Sequence, residues 1–114
     1  MTAASTRTTI DLDSLRASAS RTSALLKTLS NPDRLLLLCQ ISQSESCVSD
    51  LEAALDIHQP TLSQQLGVLR DEGLVETRRD GKRIYYSVAS PQAMAVMQVL
   101  YEQFCDVKPK RAKR

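Results

Sequence analysis

Three cysteines are the side chains best suited to covalent chemistry in this sequence of 114 residues. Cys39 follows a run of four leucines, Cys47 lies in a polar stretch, and Cys105 is close to the C-terminus. A thiol group can bind a soft metal, attack an electrophilic sulfur atom, or remain an inert buried group. An odd number of cysteines in a protein that we expect to be cytoplasmic argues against structural disulfides. The pattern leaves those three roles open.

A second group of side chains could recognise nucleic acid. Segment 59–70 repeats leucine at helical spacing, and uncharged hydrogen-bonding groups occupy much of the opposite face. Glutamine can pair with an adenine edge, and hydroxyl groups can contact phosphates or bases. Segment 78–83 has a net charge of +3 and suits the DNA backbone or minor groove. We therefore expect DNA contacts from Gln59, Thr61, Ser63, Gln64, Gln65, Arg70, Arg78, Arg79, Lys82 and Arg83.

Three helices are predicted ahead of these DNA-contacting segments. Apolar residues repeat at helical spacing over residues 12–29 and predict an amphipathic helix. Asn31 and Pro32 are typical of a helix start, and the second helix that follows is apolar nearly all round. Ser49 and Glu52 have the spacing of a capping box, which predicts a third, short helix over residues 50–55.

The remaining elements define the fold class. A fourth helix begins at about residue 59 and ends at Gly73. Two β-prone runs, 74–79 and 83–88, then flank Asp80-Gly81, which is a hairpin turn signal. A last helix begins at about Pro91. The order ααααββα predicts a mainly α fold with a small β-hairpin (α+β), a winged helix-turn-helix.

Length and charge set the boundaries of the domain. We expect residues 1–11 to be a disordered tail, residues 12–107 to form one domain and residues 108–114 to form a basic tail. That basic tail has five basic residues, whereas residues 1–107 carry 10 basic and 13 acidic side chains. No secretory signal or membrane span is evident, which favours the cytoplasm. No nucleophile–base pair, catalytic carboxylate pair or phosphate-binding loop is evident either, so we expect neither an enzyme nor a cofactor.

Four stretches of the sequence, taken together, resemble the ArsR/SmtB family of bacterial winged-helix repressors. One departure is His58, where the family usually has a serine that caps the helix. The resemblance implies a repressor that binds an imperfect palindrome in double-stranded DNA as a homodimer, formed by the first and last helices. The apolar surface of those two helices independently favours such an interface. The stretches are residues 29–35, 59–66, 69–75 and 78–86.

Metal is the commonest signal of this family, but its ligands are replaced here. The family's thiolate motif is Cys-Val-Cys-Asp-Leu, and the second cysteine corresponds to Ser49. His58 is the only histidine of the chain. We therefore expect no zinc or cobalt site. The positions that match the family's second metal site, on the last helix, are Ser90, Gln92, Gln103 and Asp106.

Cysteines at positions 39 and 105 resemble those of the BigR/SqrR subgroup, which senses persulfides through such a pair. The resemblance implies that Cys39 and Cys105 react with a persulfide or polysulfide and that the protein then releases its operator. One alternative is a repressor that responds to arsenite or a thiophilic metal through Cys39, Cys47 and Cys105. Another is a regulator without an effector, in which the cysteines are core residues.

Overall fold

The computed structural model describes residues 9–105. Most of the expected N-terminal tail and all of the expected basic tail lie outside the described residues, as does Asp106. No helix of residues 9–105 is long and apolar enough to cross a membrane. The elements in chain order are α1 (Leu12–Leu29), α2 (Pro32–Gln43), β1 (Ser46–Cys47), α3 (Val48–Leu55), α4 (Thr61–Asp71), β2 (Val75–Asp80), β3 (Arg83–Val88) and α5 (Pro91–Phe104).

Polar side chains cap three helices at the starts predicted from the sequence. Asp11 accepts a hydrogen bond of 3.2 Å from a backbone N–H in the first turn of α1. Asn31 accepts one of 3.1 Å from the N–H of Arg34 in α2, and Ser90 accepts one of 3.0 Å in α5. Each cap satisfies a donor that has no partner within its helix. The predicted starts of α1, α2 and α5 are confirmed.

The start of α3 differs from the prediction. The helix begins at Val48, and the carboxylate of Asp50 accepts a hydrogen bond of 3.3 Å from the N–H of Cys47. The predicted capping box of Ser49 and Glu52 is therefore wrong. Cys47 is held in extended conformation by pairing with a neighbouring strand, so the helix can begin directly after it.

The small sheet has the strand order β1-β3-β2. The predicted hairpin is confirmed, with Asp80 opposite Arg83 at its end. Its two-residue turn is Gly81-Lys82, one position later than predicted, and Gly81 supplies the positive φ of 66° that this turn needs. The extra strand β1 places Cys47 opposite Tyr85. The predicted mainly α fold is confirmed, and β1, in the segment between α2 and α3, pairs with the middle of β3.

One cluster of buried aliphatic side chains connects the helices and the sheet. The predicted inward face of α4 is confirmed, because its three leucines are at most 1% exposed. Although α2 is apolar nearly all round, it is not covered on every side, because Leu36 is 48% exposed. The cluster consists of Leu29, Leu37, Leu38, Ile41, Leu51, Ile57, Leu62, Leu66, Leu69, Leu74, Val75, Ala93 and Met97.

Candidate nucleic-acid interface and thiol pair

Helices α3 and α4 form a helix-turn-helix pair whose turn is fixed by His58. Asp56 adopts the left-handed conformation (φ 57°) and ends α3. The imidazole Nδ1 of His58 lies 2.8 Å from Glu52, and its Nε2 lies 2.6 Å from Asp56. These hydrogen bonds, the one to Glu52 first, raise the pKa of His58 because both favour the imidazolium form. His58, which stands where the resemblance implies a serine, therefore ties the turn to α3.

The first turns of α4 present a polar face to solvent. Ser63 and Gln64 are exposed and Thr61 is half-buried, and we call these three residues the reading face. The side-chain oxygen of Gln59 accepts a hydrogen bond of 3.0 Å from the N–H of Ser63, so Gln59 caps the helix. Hydroxyl and amide groups in these turns suit base edges and phosphates, as does the N-terminal end of the helix.

Gln65 lies beside the reading face but already has a protein partner. It is half-buried, and its side-chain oxygen accepts a hydrogen bond of 3.0 Å from Nη1 of Arg34. The guanidinium of Arg34 also donates from Nε to the carbonyl of Thr28, at 2.8 Å. The sequence did not predict this role of Arg34. Its only signal was its position three residues after the cap Asn31, which placed it in the first turn of a helix.

The hairpin formed by β2, its turn and β3, residues 75–88, is the wing. Arg78 makes a two-pronged ion pair with Glu45, with both N···O distances at 2.8 Å, and its guanidinium lies 4.8 Å from the ring centre of Tyr85. The hydrogen bond from Arg78 lowers the pKa of Glu45. Arg78 thus fastens the wing to the segment before β1, a contact that the sequence did not predict.

The other predicted basic residues differ in their surroundings. Arg70 lies in the last turn of α4, whereas Arg79 and Lys82 lie on the wing, and all three are exposed. Among residues 9–105, none of these three makes an ion pair. Arg83 is also exposed, and its Nη1 lies 3.9 Å from Sγ of Cys47. The wing therefore offers at least two unpaired cations to a phosphate backbone.

The two cysteines of the predicted thiol pair lie on α2 and at the end of α5. Cys39 is half-buried, and its Sγ is 3.9 Å from Sδ of Met97 on α5. Cys105 is exposed and caps the C-terminal end of α5. Burial raises the pKa of the Cys39 thiol, and the negative charge of the Cys105 thiolate raises it further. The thiol of Cys39 therefore faces α5, whereas Cys105 lies at the C-terminal end of that helix.

An open groove of about 700 Å³ gives solvent access to this region. It runs between α2 and α5, and Cys39 forms part of its wall. Apolar side chains of Met94 and Tyr101 and the amides of Gln40 and Gln98 line it as well. A small sulfur compound can therefore reach Cys39 without unfolding of either helix.

Cys47 has a separate environment. It is buried at the start of α3, with its sulfur 3.3 Å from the hydroxyl of Ser49 and near Arg83. Within residues 9–105, no three His, Cys, Asp or Glu side chains are grouped so as to share a metal ion.

Comparisons with known proteins establish the family. Residues 31–77 match the model described as "Bacterial regulatory protein, arsR family". The chain is 50% identical over 96 residues to the biofilm growth-associated repressor of Agrobacterium fabrum, covering 84% of this chain and 82% of that protein. This chain belongs to the arsR family. The resemblance noted in the sequence is therefore confirmed.

Solved structures agree with this assignment. The crystal structure of the transcriptional repressor BigR from Xylella fastidiosa has a TM-score of 0.81 at 45% identity, covering 84% of this chain and 98% of that one. A homodimeric winged helix-turn-helix domain from Mycobacterium bovis, Mb0332, has a TM-score of 0.69 at 26% identity, covering 87% and 92%. The winged helix-turn-helix fold of this arsR-family protein is confirmed, and the protein is a DNA-binding transcriptional regulator.

Proposed function

We propose that this arsR-family protein is a homodimeric repressor that releases its operator when Cys39 and Cys105 react with a persulfide or polysulfide. The observation that carries the proposal is the placement of Cys39 in the wall of the groove between α2 and α5 and of Cys105 exposed at the end of α5, in a chain with an exposed reading face. Similarity to two proteins described as repressors favours repression over activation.

The DNA contact is proposed for the reading face and the wing. Gln64 is the best candidate for a base contact, because it is exposed and has no side-chain hydrogen bond within residues 9–105. Ser63 and Thr61 are suited to phosphates, as are Arg79 and Lys82 of the wing. A two-fold dimer would space two α4 helices by about one DNA turn, ~34 Å, which suits an imperfect palindrome.

The dimer is proposed to form through α1 and α5. Leu12, Leu15 and Leu26 of α1 are exposed, although a single chain would normally bury such side chains. On α5, Val99 and Tyr101 are exposed and Phe104 is 81% exposed. Apolar residues on both terminal helices would be covered by a second copy, and Mb0332 is described as homodimeric.

The proposed chemistry begins at Cys105, because that thiol is exposed whereas Cys39 is half-buried. The Cys105 thiolate takes the outer sulfur of a persulfide R–S–SH, which forms Cys105–S–SH and releases the thiolate RS⁻. The Cys39 thiolate then attacks the inner sulfur atom, so that a Cys39–Cys105 disulfide forms and hydrosulfide leaves. The persulfide is the oxidant. Transfer of further sulfane sulfur before closure would give a polysulfide bridge instead.

Operator release follows if the bridge restrains α5. The bond joins the C-terminal end of α5 to α2, whereas the exposed apolar side of α5 belongs to the proposed dimer interface. Tying one end of an interface helix favours a different arrangement of the two copies, and the spacing of the α4 helices depends on that arrangement. The bridged dimer then no longer fits both half-sites.

Three serine variants test the proposal. The probe is a DNA duplex that the reduced wild-type protein selects from a random-sequence library. Cys39→Ser, Cys105→Ser and the control Cys47→Ser should all bind it as the wild type does. Polysulfide should release the wild type and Cys47→Ser only. Release of either of the other two variants by polysulfide would contradict the proposed pair, and release of the wild type by arsenite but not by polysulfide would favour the metal-responsive alternative.

A further inference from the structure

Arg34 joins three helices through one guanidinium group. Its Nε and Nη2 point to the carbonyls of Thr28 (2.8 Å) and Lys27 (3.5 Å), which belong to the last turn of α1. Its Nη1 donates to Gln65 of α4 at 3.0 Å. Arg34 itself lies in the first turn of α2, where its N–H is bonded to the cap Asn31.

These contacts follow from the chemistry of the groups involved. The last carbonyls of a helix have no partners within it and carry its partial negative charge, so they attract a cation. Arginine alone has a rigid fork that can donate in several directions at once, whereas lysine is a single flexible donor. The third direction of the fork reaches Gln65, which is 31 residues away in the sequence.

We infer that Arg34 is a positioning residue that couples the orientation of α4 to the end of α1 through Gln65. This inference rests on the proposed operator binding through α4. Gln65 then serves to orient the reading face instead of reading a base, which revises its expected role as a DNA contact. Because α1 belongs to the proposed dimer interface and α2 also carries Cys39, the link connects the interface and the thiol region to the reading helix.

A double-mutant cycle tests the link between Arg34 and Gln65. Arg34→Met and Gln65→Met should each weaken binding to the selected duplex about tenfold, and the double variant should be no weaker than either single one. Gln64→Met is the matched control. The factor by which it weakens binding should multiply with the factor for Arg34→Met when the two substitutions are combined. Binding to a scrambled duplex should change little in every case.

Two further readouts separate positioning from direct contact and from folding. If Arg34 touched a phosphate, its loss would reduce the slope of log K against log [salt] by about 0.9, whereas positioning leaves the slope unchanged. Arg34→Lys keeps the charge without the fork, so it should weaken binding to the selected duplex as Arg34→Met does. It takes the place of Arg34→Met in the test if that variant does not fold. Independent losses for Arg34 and Gln65, or full binding by Arg34→Lys, would overturn the inference. If the wild type selected no duplex, the proposed function itself would fail.

Discussion

Replacement of Glu45 by glutamine should make DNA binding more sensitive to salt. Glu45 holds the guanidinium of Arg78 in two hydrogen bonds of 2.8 Å and so competes with any phosphate for it. Glutamine keeps the size of the side chain but loses its charge, so Arg78 becomes available to DNA. The ion pair is largely exposed, and its loss should affect folding little.

The size of the effect follows from counterion release. Each additional phosphate neutralised by a basic side chain steepens the slope of log K against log [salt] by about 0.9. If Arg78 binds one phosphate in Glu45→Gln, affinity should fall by a further factor of roughly 3.5 between about 50 and 200 mM salt. Affinity for a scrambled duplex at the lower salt concentration should rise in Glu45→Gln, because a phosphate contact does not read sequence.

Fluorescence anisotropy over a series of salt concentrations measures the slope. Glu76→Gln is the matched control, since Glu76 is an exposed glutamate on β2 that makes no ion pair within residues 9–105. The double variant Glu45→Gln/Arg78→Gln should lose the extra slope. Equal slopes for Glu45→Gln and Glu76→Gln would refute the reasoning, because the change would then reflect net charge alone.

Three further predictions concern the reading face, the turn and the thiol. Gln64→Ala should weaken binding to the selected duplex by about 1–3 kcal/mol. An unchanged footprint would show that Gln64 does not make the base contact. Because the pKa of His58 is raised, its stabilising contacts with Glu52 and Asp56 are complete below pH 6.5 and are lost as pH rises through the raised value. Urea titrations should therefore show a smaller pH dependence above pH 6.5 for His58→Gln than for the wild type, and parallel curves would contradict this. Because the pKa of Cys39 is also raised, closure of the bridge from the Cys105 persulfide should speed up roughly tenfold per pH unit below that pKa. A quenched time course by mass spectrometry measures this rate, and a rate independent of pH would exclude attack by the Cys39 thiolate.

Local patterns were sufficient for most of the fold. The leucine spacing of α4 predicts which face of the helix is buried, and glycine at position 81 readily adopts the left-handed conformation in the turn of the wing. Strand β1 has only two residues, which is too short for an alternating pattern, so its pairing with β3 was missed. The displaced cap of α3 is a consequence of that same pairing.

The side-chain contacts of the candidate site were harder to predict from the sequence than the fold. The partners of Gln65 and Arg78 lie 31 and 33 residues away, and no periodicity connects such positions. Both side chains were therefore expected to contact DNA, although each has a protein partner in the structure. The thiol pair had no local signal either, and only resemblance to a subgroup of the family distinguished Cys39 and Cys105 from core cysteines.

Mass spectrometry of the wild-type protein after polysulfide treatment tests the central claim most directly. Digestion without reduction should yield one linked peptide pair that contains Cys39 and Cys105, with either no extra sulfur or one or more added sulfur atoms. Cys47 should remain a free thiol in the same sample. Loss of DNA binding while Cys39 and Cys105 remain unmodified would contradict the proposed sensor.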